Sequence, residues 1–329
     1  MENKILMTIS AADQRKIGRK MMSGKWKLAL VGTLVYMLAV LLPTTVLDMV
    51  FSKNIEMGTF VSMAYMILTS GAFTLGYTTF ILHIFRQRDT TPGEIFSGFE
   101  QFGRALTLSL LVGIIVFAFC VPSIFLLSWG FVSLGILGSM AVSAMAVLAI
   151  VAGTALLYLP CKAAFTYAQV FFIAIDHREM AVSQVMNYSK WMMEGNKKKY
   201  FFMQVSFLGW MILANLPVTI FTVWTSSMAL ANVDAGLGAI NPFTMNVIIF
   251  ILGAGYVWLT PYMMSTGAAF YDIISGNMVI KQWDQLSQES SETSQKTNLL
   301  EELEDAESLE DSRSVDGANS PEGTKGSDR

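Results

Sequence analysis

The chain has 329 residues, 53% of them hydrophobic and only 14% charged, with mean hydropathy +0.50. Soluble domains carry about 25% charged residues, so this composition excludes an ordinary soluble fold and points to a polytopic membrane protein. The net charge of −3 divides unevenly: residues 284–329 hold 13 Asp and Glu against 4 Lys and Arg, leaving a tail of −9 on a body of +6.

The first segment, 1–27, is basic, with Arg15, Lys16, Arg19, Lys20, Lys25 and Lys27 ahead of the first apolar run. That run has the length of a full span rather than of a signal h-region, so it is expected to stay in the membrane. A span needs about 20 apolar residues. Candidates fall at about 28–47, 60–84, 105–128, 135–160, 200–224 and 243–271, within a membrane domain over 28–275. Lys and Arg gather before span one, between spans two and three (Arg86, Arg88, Arg104) and between four and five (Arg178, Lys190, Lys197, Lys198, Lys199). The intervening loops hold almost none, so the positive-inside rule places both termini in the cytoplasm. Residues 131–175 are too long for one straight crossing; one bent passage, with Pro160 as the bend, is preferred, and seven spans are the alternative.

Each basic cluster follows a similar phrase. Ser10–Asp13, Thr91–Glu94 and Asp176–Glu179 look like capping boxes, with Pro92 at a first helical position. Each is read as opening a short helix that ends at a glycine: Gly24, Gly103 or Gly195. In the third, 179–199, Val182, Val185, Met186, Met192 and Met193 share one face, and Ser183, Asn187, Lys190 and Glu194 another. This suits a helix lying in the cytoplasmic interface, with Tyr188 and Trp191 at the headgroups. The glycine then turns the chain into the membrane. Lys25, Trp26 and Lys27, Arg104, and Lys197, Lys198 and Lys199 anchor the span ends by snorkelling onto an anionic inner leaflet. The expected fold is therefore an all-α polytopic membrane protein of about six transmembrane helices in three hairpins, each preceded by a short cytoplasmic interfacial helix.

The segments "GEIFSGFEQFGRAL" (93–106), "SKWMMEGNKKKYFFMQVSFLGW" (189–210) and "WLTPYMMSTGAAFYDI" (258–273) resemble the recurrent segments of a bacterial membrane family, unknown-function domain family 975. The resemblance covers roughly 15–275. It departs at 129–155, where this chain is longer, and at Asn196, where the family pattern has His. It implies a polytopic membrane fold and brings no activity or catalytic residues with it.

Intramembrane polar residues are the remaining candidates. Asn215 lies two residues before Pro217, whose missing N–H frees a carbonyl, and interrupted helices are where transporters bind substrate, although ordinary kinks look the same. Pro122 and Pro261 add further breaks. Lys162, next to Pro160, either lines a wet cavity or snorkels. Asp48 and Asp272 lie near span ends, where headgroups solvate them. Gly135, Ser139 and Ser143, with Ala149 and Gly153, form a small-residue ladder suited to close helix packing. Cys120 and Cys161 look like small core residues. No metalloprotease, nucleophile-elbow or phosphate-loop motif occurs, so no catalytic, cofactor or metal site and no nucleic-acid partner is expected. In the acidic, Ser-rich and mostly disordered tail, "NLLEELEDAESLED" (298–311) could dock on a basic protein partner. Two roles follow from these features. One is a non-enzymatic plasma-membrane organiser or regulator working through interfacial helices and tail. The other is a small permease or lipid/solute carrier working near Asn215 and Lys162.

Overall fold

Long apolar runs without β-branched alternation fold as helices, and the described residues contain helices and no strand. The computed structural model describes residues 4–136, 144–230 and 242–278. Ser139 and Ser143 of the small-residue ladder and the 298–311 segment lie outside the described residues.

In order, the elements are α1 (Ala11–Met21), α2 (Trp26–Val50), α3 (Ile55–Phe85), a 3-10 helix (Pro92–Phe99), α4 (Phe102–Ile136), α5 (Ala144–Leu156), α6 (Tyr158–Thr166), α7 (Val170–Asp176), α8 (Val182–Met193), α9 (Lys197–Val205), α10 (Leu208–Leu230), α11 (Pro242–Leu252) and α12 (Gly255–Ile274). Five helical stretches are long and apolar enough to cross a membrane, and six if α11 and α12, bent by 54°, count as one. The 144–176 passage counts once, as a broken rod of α5, α6 and α7. Its first break lies at Leu157, one turn before Pro160, because proline leaves the carbonyl four residues back without a donor. There the chain tightens, Leu157 N–H donating to the Thr154 carbonyl at 3.2 Å.

The helices pack as neighbours in sequence: α2 along α3, α4 along α5 and α6, α10 along α12. A second pattern links these pairs. The 3-10 helix packs on α3, α8 on α7 and α1 on α12, so each short helix sits on the last helix of the pair before it, and the first closes onto the last. Small residues mediate the seats of the 3-10 helix and of α1. Gly98 lies against Ala72 and Gly76, where a Cβ would overlap the Ala72 carbonyl and the Gly76 backbone nitrogen. Ser265 Oγ of α12 donates to the Gly18 carbonyl of α1 at 2.8 Å, while Ser189 Oγ ties α8 to the end of α6, donating to the Thr166 carbonyl at 2.9 Å.

The short helices start in three different ways. Ser10 caps α1, its hydroxyl accepting from Asp13 N–H at 3.2 Å. Thr91 makes no side-chain cap, and Pro92 opens a 3-10 helix instead. Asp176 starts nothing: it ends α7, and α8 begins six residues later with Ala181 N–H donating to Gln184 Oε1 at 2.9 Å. The third capping-box reading is therefore corrected; its carboxylate has a stronger partner, described below. Gly24 (φ 78°) and Gly195 (φ 85°) make left-handed turns into α2 and α9, where an L side chain is strained. Gly103 lies inside α4 and makes no such turn.

The core concentrates at the end where the short helices lie. Tyr36 stacks on Tyr77 at 4.5 Å, and Tyr77 shares a 2.8 Å hydrogen bond with Thr33. Trp26, Trp258, Tyr262 and Phe207 form a second aromatic group joining α2, α12 and the start of α10. Away from this end α4 and α10 carry large exposed apolar side chains, among them Phe117, Phe125, Ile212 and Val223. Hydrocarbon tolerates such a surface, and water does not.

Candidate functional site

Three helix C-termini converge on one guanidinium. Arg86 caps α3, Asp176 ends α7 and Asp272 lies in the last turn of α12. Arg86 Nη1 and Nη2 donate to the two Asp176 oxygens at 2.6 and 2.7 Å. Its Nε and Nη2 donate to the two Asp272 oxygens at 3.1 and 2.6 Å. Both carboxylates are thus held in fork geometry, which ammonium groups cannot reproduce. Tyr271 donates to Asp176 at 3.0 Å, and Asn277 lies within 3.4 Å of both acids. Asp272 is 5% exposed and Arg86 15%. Burial alone would lower the Arg86 pKa, but hydrogen bonds and charge from Asp176 and Asp272 outweigh it and drive it further above its ordinary value. Carboxylates at helix C-termini oppose the helix dipole, and one cation among three such ends offsets both effects.

A second arginine does related work without a carboxylate. Arg104, at the start of α4, donates to the carbonyls of Ala174, His177 and Met180 at 3.1, 2.7 and 3.1 Å. It fastens the turn between α7 and α8. Near the end of α3, His83 Nδ1 lies 2.7 Å from Glu94, and Thr90 donates to the same carboxylate. Glu94 therefore ties the 3-10 helix to α3.

At the α8–α9 turn Asn196, 1% exposed, accepts from Met7 N–H at 2.8 Å and donates to the Ile5 and Met192 carbonyls at 3.0 and 2.9 Å. The residue that departs from the resembled pattern is the clamp for the N-terminal segment. Lys4 pairs with Glu194 at 3.2 Å and Lys199 reaches the Thr8 carbonyl at 3.4 Å, closing the same contact.

The residues expected to anchor the span ends divide between bonded and exposed positions. Lys25 donates to the Arg88 carbonyl at 2.9 Å, Trp26 is half-buried in the aromatic group, and Lys27 and Lys198 are exposed. Trp191 is exposed and stacks on Tyr188 at 5.5 Å, while Val185, Met192 and Met193 are buried. Lys197 is partly buried, and burial, followed by repulsion from Lys162, lowers its pKa.

The candidate intramembrane residues do not come together. Asn215 and Pro217 are exposed on α10, which runs unbroken through Pro217. The Asn215 amide donates to Thr219 Oγ1 at 3.2 Å rather than to a freed carbonyl. Lys162 is exposed on α6, 6.0 Å from the Tyr158 ring, and Pro160 is buried beside it. Breaks fall at Leu157, between α9 and α10 and between α11 and α12; the last packs Gly255 against Ala214 and shares a shallow apolar cavity with Pro217, while Asn215 itself stays exposed. Cys161 is exposed and Cys120 half-buried, so the core reading of Cys161 is corrected. Among the described residues no group of His, Cys, Asp or Glu is clustered to hold a metal ion.

Sequence reasoning saw Arg86, Asp176 and Asp272 separately, as a loop cation, a cap and an interfacial acid. The available signal was that each follows the last apolar run of its pair, in "HIFR", "IAID" and "AFYD". A protein family described as of unknown function, DUF975, has a model that matches residues 7–278. No curated protein and no solved structure matches the chain.

Proposed function

We propose a role for this chain, which belongs to the DUF975 family of proteins of unknown function, as a non-enzymatic organiser of the plasma membrane, with both termini and the three short helices on the cytoplasmic side. The observation that carries this is how its ionised groups are used. Arg86 is held by two carboxylates and Arg104 by three carbonyls, so the polar groups fix the helix ends to one another. The surfaces offered outward are the lysine-rich elbows and the broad apolar faces of α4 and α10. Such surfaces suit anionic inner-leaflet lipid and protein partners. The acidic tail adds a docking segment at 298–311. A small permease or carrier would need Asn215 and Lys162 to share a path, and they lie exposed on separate helices. Asn215→Leu and Lys162→Met are therefore expected to leave function and insertion unchanged.

The test is a gentle-detergent purification of the full chain beside a version ending at Gln282, with mass spectrometry of proteins and lipids. A near-stoichiometric protein partner lost on truncation is the expected result. A small solute in both preparations, with no protein partner, would overturn the organiser role. Orientation is tested with single cysteines at Ala239 and Ser308 in a background lacking Cys120 and Cys161; both positions lie outside the described residues. Labelling from outside is expected at Ala239 alone.

A further inference from the structure

Between α2 and α11 runs a groove of about 540 Å³, open along one side. Its walls from Tyr36 and Val40 to Phe250 and Val257 are apolar, and its other end carries Thr44, Thr45, Asp48 and Asn246. Trp26 and Asp48 lie 22 positions apart on α2, about 33 Å of helix and close to one hydrocarbon thickness. Asp48 therefore marks the boundary opposite the short helices. From Asp48 back to Tyr36 the groove follows α2 for about 18 Å, near the depth of one leaflet.

The polar end has a definite sign. Thr44 and Thr45 both donate their hydroxyls to the Leu41 carbonyl, at 2.8 and 2.9 Å, so their oxygens remain as acceptors. Asp48 accepts from Ser62 Oγ at 2.8 Å, and among the described residues no Lys, Arg or His lines the groove. An apolar trough of leaflet depth ending in acceptors and a carboxylate is complementary to an amphiphile whose head donates hydrogen bonds and carries positive charge. We propose that the groove holds one acyl chain of a phospholipid with a primary ammonium headgroup, the ammonium resting at Asp48. This lipid lies in the leaflet opposite the lysine-rich elbows and differs from the anionic lipids expected there. The site requires only that α2 spans the membrane, not that the chain is an organiser.

The experiment equilibrates the full-length protein with equimolar phosphatidylethanolamine and phosphatidylglycerol, extracts it in mild detergent and weighs the retained lipid by native mass spectrometry. Wild type is expected to keep the ethanolamine lipid in about three-fold excess, the scale of an exposed ion pair. Asp48→Asn should bring the ratio to one. Val247→Trp, at an exposed lining position on α11, should abolish retention with the melting temperature unchanged. Equal retention of the two lipids by wild type overturns the headgroup assignment, and undiminished retention by Val247→Trp overturns the groove. Neither readout depends on whether the tail has a protein partner.

Discussion

Replacing Arg86 by Met leaves Asp176 and Asp272 facing each other at two helix C-termini without the cation. Removing one member of a buried ion pair costs about 3–5 kcal/mol, mostly because the remaining charge is left unpaired. The Arg86 and Asp176 side chains are 15% and 19% exposed, so water relieves part of that cost. The lower end, about 3 kcal/mol, is the fitting figure, which at 2–4 °C per kcal/mol lowers the melting temperature by about 6–12 °C. The assay is thermal unfolding in mild detergent, followed by loss of the monodisperse elution peak. Its control is the triple variant Arg86→Met, Asp176→Asn, Asp272→Asn, which keeps shape and removes charge. The triple should recover most of the loss, since neutral amides there are far less costly than stranded carboxylates. Arg86→Lys should fall between, because an ammonium cannot hold both forks. An Arg86→Met protein melting within about 2 °C of wild type, or a triple variant no more stable than the single, would refute the reasoning.

Three further outcomes follow from the packing. Gly98→Ala puts a methyl against the Ala72 carbonyl on α3 and should cost about 1–3 kcal/mol, measured as the same thermal shift, whereas Ala at the open Gly113 position should not. Asn196→Leu strands the Met7 N–H and the Ile5 carbonyl; limited proteolysis should then cut within residues 4–10 at least about ten-fold faster, the scale of one lost buried hydrogen bond. The lowered Lys197 pKa means that the folded chain binds fewer protons than the unfolded chain in the window below the usual lysine value of 10.5. The penalty for burying that charge is fully present at neutral pH and is relieved as pH rises towards 10.5. Stability should climb over that window in wild type and less steeply in Lys197→Met.

Helices, glycine turns and basic ends were legible in the sequence because each depends on local chemistry: apolar run length, the positive φ that Gly24 and Gly195 adopt, and lysines that follow them. The apolar face of α8 was legible for the same reason, as a spacing, but what covers it was not: Val185, Met192 and Met193 are buried within the protein. The Arg86 junction was not, since its members are 90 and 186 residues apart and nothing local marks them as partners. Asp176 misled because a carboxyl-bearing residue before a short helix looks like a cap, and only the tertiary arrangement shows it ending the previous helix. Asn215 misled for the converse reason: proline beside an amide looks like a broken helix, yet α10 continues and Thr219 takes the amide.

The seating of α1 on α12 has a consequence for biosynthesis. The 3-10 helix and α8 each dock on a helix made just before them, so their seats exist when they leave the ribosome. The seat of α1 is made last. At about 5–20 residues per second, α1 waits about 12–50 s for α12. During that interval α1 has only partial seats, on α3 and later on α9, where Arg15 donates to the Ser206 carbonyl at 3.2 Å. Closure of the fold then waits for α12, and a nascent protein lacking that helix leaves α1 without its main seat.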